Sequence, residues 1–309
     1  MLVGRRHLAA AVGTAVLCVT ITATAQALYV ADWSTALKID TINGNSTELN
    51  TTSLDGCPIQ SPDGLSLYMA SNRPGGLGGL DIWVAHRAST AAPFGAPENL
   101  GEPVNSAADD FCPTPVRGKG LFFVSREALG GSCGQGDIYF TSRHPVRGWN
   151  EPQRLACAPD GPNTALDEQG PSFVDLGPRQ LLYFSSNSVT PAAAGDIYVS
   201  ARRKKAAFGP AIAVVGLNDA VANDIQPNVR KDGLEVVFSS NRAGGAGQDI
   251  WSATREKIGE PWSAPVNAGG TVNTGAAETR PSLSWNGDQL LFGRSPGPEG
   301  LSDIFVSTR

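Results

Sequence analysis

Five apolar runs recur along the chain, and each is followed by an Asp-Ile pair and then an aromatic residue. The runs are apolar at consecutive positions, which is typical of β-strands that are buried on both faces. They begin near Leu67, Leu121, Leu182, Val236 and Leu290. The pairs that follow are Asp81-Ile82, Asp137-Ile138, Asp196-Ile197, Asp249-Ile250 and Asp303-Ile304. Fixed spacing of this kind indicates a repeat protein.

Other columns of the repeat lie outside the apolar runs. A carboxylate stands three residues before a proline in every copy, at Asp55, Asp110, Glu168, Asp224 and Glu278. An aromatic residue opens another segment, at Trp33, Phe94, Trp149, Phe208 and Trp262. The unit therefore predicts four short strands: A at the proline, B at the apolar run, C at Asp-Ile and D at the aromatic residue.

A four-stranded sheet with two apolar faces can bury both by stacking radially on its neighbours, as the blades of a β-propeller do. We therefore predict an all-β, five-bladed propeller of four-stranded antiparallel blades over residues 28–309. Its repeats span residues 55–87, 110–143, 168–202, 224–255 and 278–309. The last repeat stops after strand C, at Arg309, whereas residues 28–42 offer an unpaired strand D. We expect this segment to complete the fifth blade and close the ring.

The first repeat also resembles a known sequence family. Ser61-Pro62-Asp63-Gly64, the S-N-R-P-G-G of residues 71–76 and Asp81-Ile82-Trp83 are similar to the WD40-like PD40 repeat of TolB-type propellers. The resemblance covers essentially all of residues 28–309, but Glu127, Ser188 and Pro296 replace the arginine of the S-N-R column in three repeats. It implies a β-propeller and an exported protein that docks partners on it.

Residues 1–27 have the pattern of a secretory signal peptide. Arg5 and Arg6 precede an apolar stretch, and small residues at 23, 25 and 27 allow cleavage after Ala25 or Ala27. No later stretch is long and apolar enough to predict a membrane span. We therefore expect a periplasmic or extracellular protein.

Charge and cysteine content narrow the partners. The net charge is −5, and only 17% of the residues are charged, which disfavours nucleic acid and anionic membranes as partners. Four cysteines follow the leader, and an even number in an exported chain predicts two disulfides. Cys133 and Cys157 are expected on one rim and are predicted to pair. Cys57 and Cys112 occupy equivalent positions on neighbouring innermost strands, near the limit for a bridge.

The repeated carboxylates are the first candidates for a site. Strand A is innermost in a propeller, so we expect them, with Arg280, to ring the mouth of the central channel. The functional interpretation is a site for a cation, a basic peptide or a sugar. Fivefold repetition favours the other interpretation, in which each carboxylate accepts hydrogen bonds from N–H groups of its own connection. The Asp of each Asp-Ile pair is interpreted as structural, because it can accept N–H groups of the preceding loop. These are Asp81, Asp137, Asp196, Asp249 and Asp303.

A binding or protein-interaction module is the preferred function, as a monomer with a protein or glycan ligand at the channel mouth. No cofactor is predicted, and the sequence leaves open whether a cation binds in the channel. The alternative is a carbohydrate-active enzyme of the glycoside hydrolase type, which needs two carboxyl groups with unequal surroundings. The asymmetric features of the expected ring are Arg280 beside Glu278, the pair Asp109-Asp110 and the pair Asp167-Glu168.

Overall fold

The computed structural model describes residues 32–42, 44–118, 120–127, 131–186 and 195–309. The predicted signal peptide lies outside these residues. Within them, no helix has the length and apolar character needed to cross a membrane.

The described strands form five antiparallel sheets, which confirms the predicted five-bladed propeller. The strands are numbered along the chain. Blade 1 contains β2 (Asp55–Gln60), β3 (Ser66–Ser71), β4 (Asp81–His86) and β5 (Glu98–Asn99). Blade 2 contains β6 (Asp110–Val116), β7 (Gly120–Ser125), β8 (Asp137–His144), β9 (Gly148–Trp149) and β10 (Gln153–Arg154). Blade 3 contains β11 (Glu168–Asp175), β12 (Arg179–Ser186), β13 (Asp196–Arg203) and β14 (Ile212–Ala213).

The remaining two blades follow the same order. Blade 4 contains β15 (Asp224–Val229), β16 (Glu235–Ser240), β17 (Asp249–Thr254) and β18 (Val266–Asn267). Blade 5 contains β19 (Ala277–Leu283), β20 (Gln289–Ser295), β21 (Asp303–Thr308) and β1 (Leu37–Lys38). Two short 3-10 helices, Ile39–Thr41 and Thr47–Leu49, connect β1 to blade 1.

The N-terminal segment closes the ring, as predicted. Leu37 pairs with Val306 and Lys38 with Phe305 in antiparallel register. The Ser34 N–H donates to the Thr308 carbonyl oxygen at 2.8 Å. The edge of the last blade is therefore covered by the start of the chain.

The sequence predicted that the repeated aromatic residues begin strand D, but they do not. In four blades they precede a strand D of only two residues, and their side chains are buried. An arginine from the end of strand C lies over each ring, at 4.2–4.5 Å from the ring centroid in four blades and 5.9 Å in blade 2. The repeated aromatic residues thus form cation–π contacts with arginines at the outer edge of each blade.

Each innermost strand contains a bulge two residues after its carboxylate. The residue there has a positive φ of 48–58° and is followed by a proline, and the pairing register with strand B shifts at the same point. The five residues are Cys57, Cys112, Gly170, Gln226 and Arg280. Because the extra residue bends the strand, these positions line the channel rather than the blade core.

Both cysteine pairs form disulfides. Cys57 and Cys112 join the innermost strands of blades 1 and 2, with their Cα atoms 4.9 Å apart. Cys133 and Cys157 join the B-to-C loop of blade 2 to the segment after β10, with their Cα atoms 5.6 Å apart.

Candidate functional site

The five repeated carboxylates are buried, and they do not ring the channel mouth as expected. Each holds its own D-to-A connection through hydrogen bonds, and we call the carboxylate with its hydrogen-bond partners a clamp. Each is at most 1% exposed and accepts a hydrogen bond from a backbone N–H of its own D-to-A connection. In blade 1, Asp55 accepts from the Thr51 N–H at 2.6 Å and from the Ser71 hydroxyl at 2.6 Å. The connection folds back over the carboxylate because those N–H groups have no strand partner.

The Asp residues of the Asp-Ile pairs hold the B-to-C loops. Asp81 accepts from the N–H groups of Leu77 and Gly78, and Asp249 accepts from the Ala246 N–H at 3.0 Å. Asp137 and Asp303 make the same kind of contact, whereas most of the loop before Asp196 lies outside the described residues. These bonds bring two strands of one blade together at the rim.

Three of the five buried clamps contain an arginine. Arg73 pairs with Asp55 and Arg242 with Asp224. In blade 5, Pro296 stands where the S-N-R column has arginine, but Arg294 donates to Glu278 at 2.8 Å instead. Arg294 occupies the position directly opposite Glu278 in the strand register, so the sequence column missed it by two residues.

The clamps of blades 2 and 3 differ. Within the described part of the chain, neither Asp110 nor Glu168 forms an ion pair. Burial raises the pKa of Asp110 to about 6; hydrogen bonds from Ser125 and Ser106 lower it, and the charge of Glu127 raises it slightly. Burial likewise raises the pKa of Glu168. The buried carboxylates of blades 2 and 3 therefore differ from the other three, because among the described residues they have no ion-pair partner.

This difference predicts a pH effect on stability. The folded protein holds the Asp110 proton up to about pH 6, whereas an ordinary aspartate has a pKa of 3.8. The contribution of Asp110 to the free energy of unfolding is therefore fully present below about pH 4. As the pH rises through about 6, the free energy of unfolding falls by roughly 3 kcal/mol.

Asp110→Asn removes this titration. We expect the free energy of unfolding of this variant, relative to wild type, to rise between about pH 4 and pH 7. Urea unfolding across that range measures the difference. The exposed Asp160, changed to Asn, is the control, and a parallel pair of pH profiles for Asp110→Asn and wild type would contradict the prediction.

The channel itself is narrow. Its cavity has a volume of about 30 Å³ and is lined by the bulge residues and their prolines. Because ligand pockets typically measure about 300–1,000 Å³, a sugar ring does not fit inside. Among the described residues, no group of three His, Cys, Asp or Glu side chains is placed to hold a metal ion. A larger ligand must therefore bind outside, at the channel mouth beside the D-to-A connections.

Asp109 and Asp167, which the sequence named as members of two acidic pairs, lie at the D-to-A connections beside the buried carboxylates. Arg126 lies between them, with Nη1 at 2.9 Å from Asp109 Oδ2 and Nη2 at 3.0 Å from Asp167 Oδ2. The side chain of Asp109 is 31% exposed and that of Asp167 is 6% exposed. Each comes from the residue directly before a buried clamp, so the clamp positions it.

A chain of hydrogen bonds links this triad to the channel. The Gln169 Nε2 donates to Asp167 Oδ2 at 2.7 Å, and the Gln226 Nε2 donates to Gln169 Oε1 at 3.2 Å. The Gln226 Oε1 accepts from the Arg280 N–H at 3.2 Å. Gln169 and Gln226 were not singled out in the sequence; their place beside the bulge proline is the signal that could have found them.

Arg280 is the charged residue of the channel. Its side chain lines the cavity and, among the described residues, forms no ion pair with a carboxylate. Burial, together with the charge of Arg126, lowers the pKa of Arg280 to about 10. Gly56 makes room for it, since a Cβ there would lie 3.1 Å from Nη1. The mouth thus presents two carboxylates and two guanidinium groups.

The sequence matches no protein-family model and no curated protein. The fold, however, is similar to solved glycoside hydrolases. A thermostable family-43 glycoside hydrolase is 14% identical with a TM-score of 0.57, covering 85% of this chain and 91% of its own. An α-L-arabinofuranosidase from Lactobacillus brevis is 11% identical with a TM-score of 0.54, covering 84% and 92%. The α-L-arabinofuranosidase of Podospora anserina, solved with cellotriose, is 10% identical with a TM-score of 0.55, covering 90% and 96%.

These neighbours correct the preferred function. The sequence favoured a binding or protein-interaction module, but several solved propellers that resemble this chain over most of its length are glycoside hydrolases. That finding favours the alternative, a carbohydrate-active enzyme. The propeller implied by the PD40 resemblance is confirmed, while membership of the TolB type stays a prediction.

Proposed function

We propose that this protein is a carbohydrate-active enzyme of the glycoside hydrolase type, with its site at the channel mouth on blades 2 and 3. One observation carries the proposal. Asp109 and Asp167, from neighbouring blades, are held side by side on the two terminal amino groups of Arg126. Glycoside hydrolysis uses two carboxyl groups that flank the bond to be cleaved.

The two carboxylates have unequal surroundings, as such a reaction requires. Asp109 is the more exposed, and its Oδ1 accepts from the Leu80 N–H at 2.9 Å. The Oδ1 of Asp167 is buried and, within the described residues, has no hydrogen-bond partner. We propose these two residues as the pair of carboxyl groups that hydrolysis requires, with Asp109, the more exposed, facing the substrate.

The neighbouring arginines and glutamines suit a sugar ligand. Gln169 and Gln226 place amide groups beside the carboxylates, and Arg126 and Arg280 add donors that do not titrate near neutral pH. Sugar hydroxyl groups accept and donate hydrogen bonds to such side chains. Because the channel is closed to a sugar ring, the glycan is expected to lie across the mouth.

The proposal predicts hydrolysis that depends on both carboxylates. The purified protein should release reducing ends from at least one polymer in a panel of arabinan, arabinoxylan and β-glucan, the glycan classes closest to the names of its structural neighbours. Asp109→Asn and Asp167→Asn should each lower kcat by roughly 100-fold or more, because each removes a proton-transfer group.

Asp160→Asn is the matched control, since Asp160 is an exposed acid of the connection between the same two blades. Its activity and its melting temperature should equal those of wild type. Absence of product from every polymer, or full activity in both active-site variants, would overturn the proposal.

We also infer that the repeat is of the PD40 type and that the protein is exported. In blades 1 and 4 the motif aspartates accept hydrogen bonds within the A-to-B turn, from Leu65 and Leu234, and the motif arginines clamp the buried carboxylates. Two disulfides suit an oxidising compartment, and so do the signal-peptide pattern and an extracellular glycan substrate.

A further inference from the structure

The rim opposite the channel mouth carries a groove that the proposed enzyme site does not use. The groove consists of two cavities of about 620 and 470 Å³ that share Pro115, Val116 and Arg117. Their walls come from the turns that join strands A to B and from the ends of strands C. We call this surface the far-face groove. Its cavities are in the size range of ligand sites, unlike the channel.

Two cationic side chains lie against one indole ring in the groove. The Arg117 guanidinium carbon lies 4.6 Å from the centroid of Trp285, and the Lys231 Nζ lies 5.1 Å from the same centroid. Lys204 lines the same cavity. The indole face attracts each cation, but the cations repel one another because all of them lie against one small cavity.

These three cations are unpaired, whereas others on the rim are not. Among the ion pairs of the described residues, Arg230 contacts Asp232 and Glu235, and Arg309 contacts Glu235. In the same set, Arg117, Lys204 and Lys231 have no carboxylate within ion-pair distance. Three cations without a carboxylate partner therefore line the groove.

The one acid lining the smaller cavity does not neutralise them. Asp175 accepts from the Gly177 N–H at 2.9 Å and from the Gln180 Nε2 at 3.1 Å. Its charge offsets at most one of the three cations, so a net positive charge remains at this cavity. An anionic ligand would balance that charge.

Aromatic surfaces alternate with the charges. Trp285 and Phe173 line one cavity, and Trp149 and Tyr68 line the other. A sugar ring has apolar C–H faces that pack on aromatic rings, and a uronate ring adds a carboxylate that arginine and lysine bind through charge-assisted hydrogen bonds. The net charge of −5 opposes every polyanion at long range, so binding depends on the aromatic and cationic contacts inside the groove.

We propose that the far-face groove binds the carboxylate-bearing rings of an acidic polysaccharide, a polyuronate. The site lies on the rim opposite the proposed catalytic mouth, so the inference does not depend on hydrolysis. Binding there would hold the protein on a charged polymer while the mouth remains free.

Affinity electrophoresis with sodium polygalacturonate tests the proposal, and fully methyl-esterified polygalacturonate is the matched ligand without charge. We expect binding to the free acid alone, weakening by roughly tenfold between about 50 and 500 mM NaCl, because salt screens exposed charges. Arg117→Gln, Lys204→Gln and Lys231→Gln combined should weaken binding by about tenfold or more. Trp285→Ala should weaken binding without changing the charge.

A second triple variant controls for the long-range field. Arg179→Gln, Lys205→Gln and Lys257→Gln remove the same number of exposed charges outside both cavities, so binding should stay within about twofold of wild type. Equal loss in both triple variants, equal binding of the ester and the acid, no binding of the acid, or tighter binding of oligothymidylate would each overturn the proposal.

Asp167→Asn separates the two proposals. It should abolish hydrolysis while leaving the affinity for polygalacturonate unchanged, because Asp167 lies at the channel mouth. Loss of polygalacturonate affinity in Asp167→Asn would place the anion site at the mouth and overturn the far-face assignment.

Discussion

A chain that starts at residue 45 is expected to lose cooperative unfolding altogether. It lacks β1, which covers the edge of β21, and it lacks Trp33 and Ile39, whose side chains are 4% and 3% exposed. Trp33 packs in one core cluster with Leu290 and Phe292 and lies under Arg309 at 4.5 Å. Truncating one buried tryptophan costs about 3–5 kcal/mol, and the missing strand adds an open sheet edge.

Differential scanning calorimetry and urea unfolding check this expectation. A chain that starts at residue 32 is the control and should unfold as the full protein does, because it keeps every described contact of the N-terminal segment. Trp33→Ala in the full chain should show part of the loss, about 3–5 kcal/mol. Unchanged, cooperative unfolding of the shorter chain would mean that the ring does not need the N-terminal strand.

Asp55→Asn is expected to lower the free energy of unfolding by roughly 3–5 kcal/mol. Asp55 is fully buried, and Arg73, its ion-pair partner, is 8% exposed. Asparagine keeps the shape of the side chain but leaves the buried guanidinium without a counter-charge. The penalty thus comes from the unpaired charge rather than from lost volume.

The same substitution in blade 2 is the internal comparison. Asp110 occupies the equivalent position but has no ion pair among the described residues, and its pKa is raised to about 6. Asp110→Asn therefore removes an unfavourable buried charge at pH 7 and should cost far less than Asp55→Asn. Equal losses for the two variants in urea unfolding at pH 7 would show that the arginine does not control the energetics of the clamp.

The structure explains a further column of the repeat. An Asn precedes each carboxylate by five or six residues, and its side chain pairs with the backbone of an Asp-Ile isoleucine in the preceding blade. Asn50 makes this contact with Ile304 across the ring closure, where its Oδ1 accepts the Ile304 N–H at 2.7 Å. The column thus ties each D-to-A connection to strand C of the blade before it, 21–25 residues away along the chain except at the ring closure.

The sequence alone determined the fold class, the number of blades and the closing segment. Those features follow from local patterns: apolar runs buried on both faces, a fixed repeat and an unpaired strand at the start of the chain. Each pattern acts within one repeat, so each can be recognised without knowing how distant residues meet. The aromatic column was misread as the start of strand D because its partner, an arginine at the end of strand C, is seen only in the folded blade.

The candidate site was decided by the tertiary structure. The sequence pointed to the repeated carboxylates, but a D-to-A connection folds over each one and buries it. The neighbouring Asp109 and Asp167 reach the mouth instead and meet at Arg126, although up to 58 residues separate them in sequence. Side-chain direction at a strand end and charge balance across blades depend on distant partners. Those partners come together only when the ring closes. The S-N-R column showed which copies lack its arginine, but not that Arg294 takes its place beside Glu278 in blade 5.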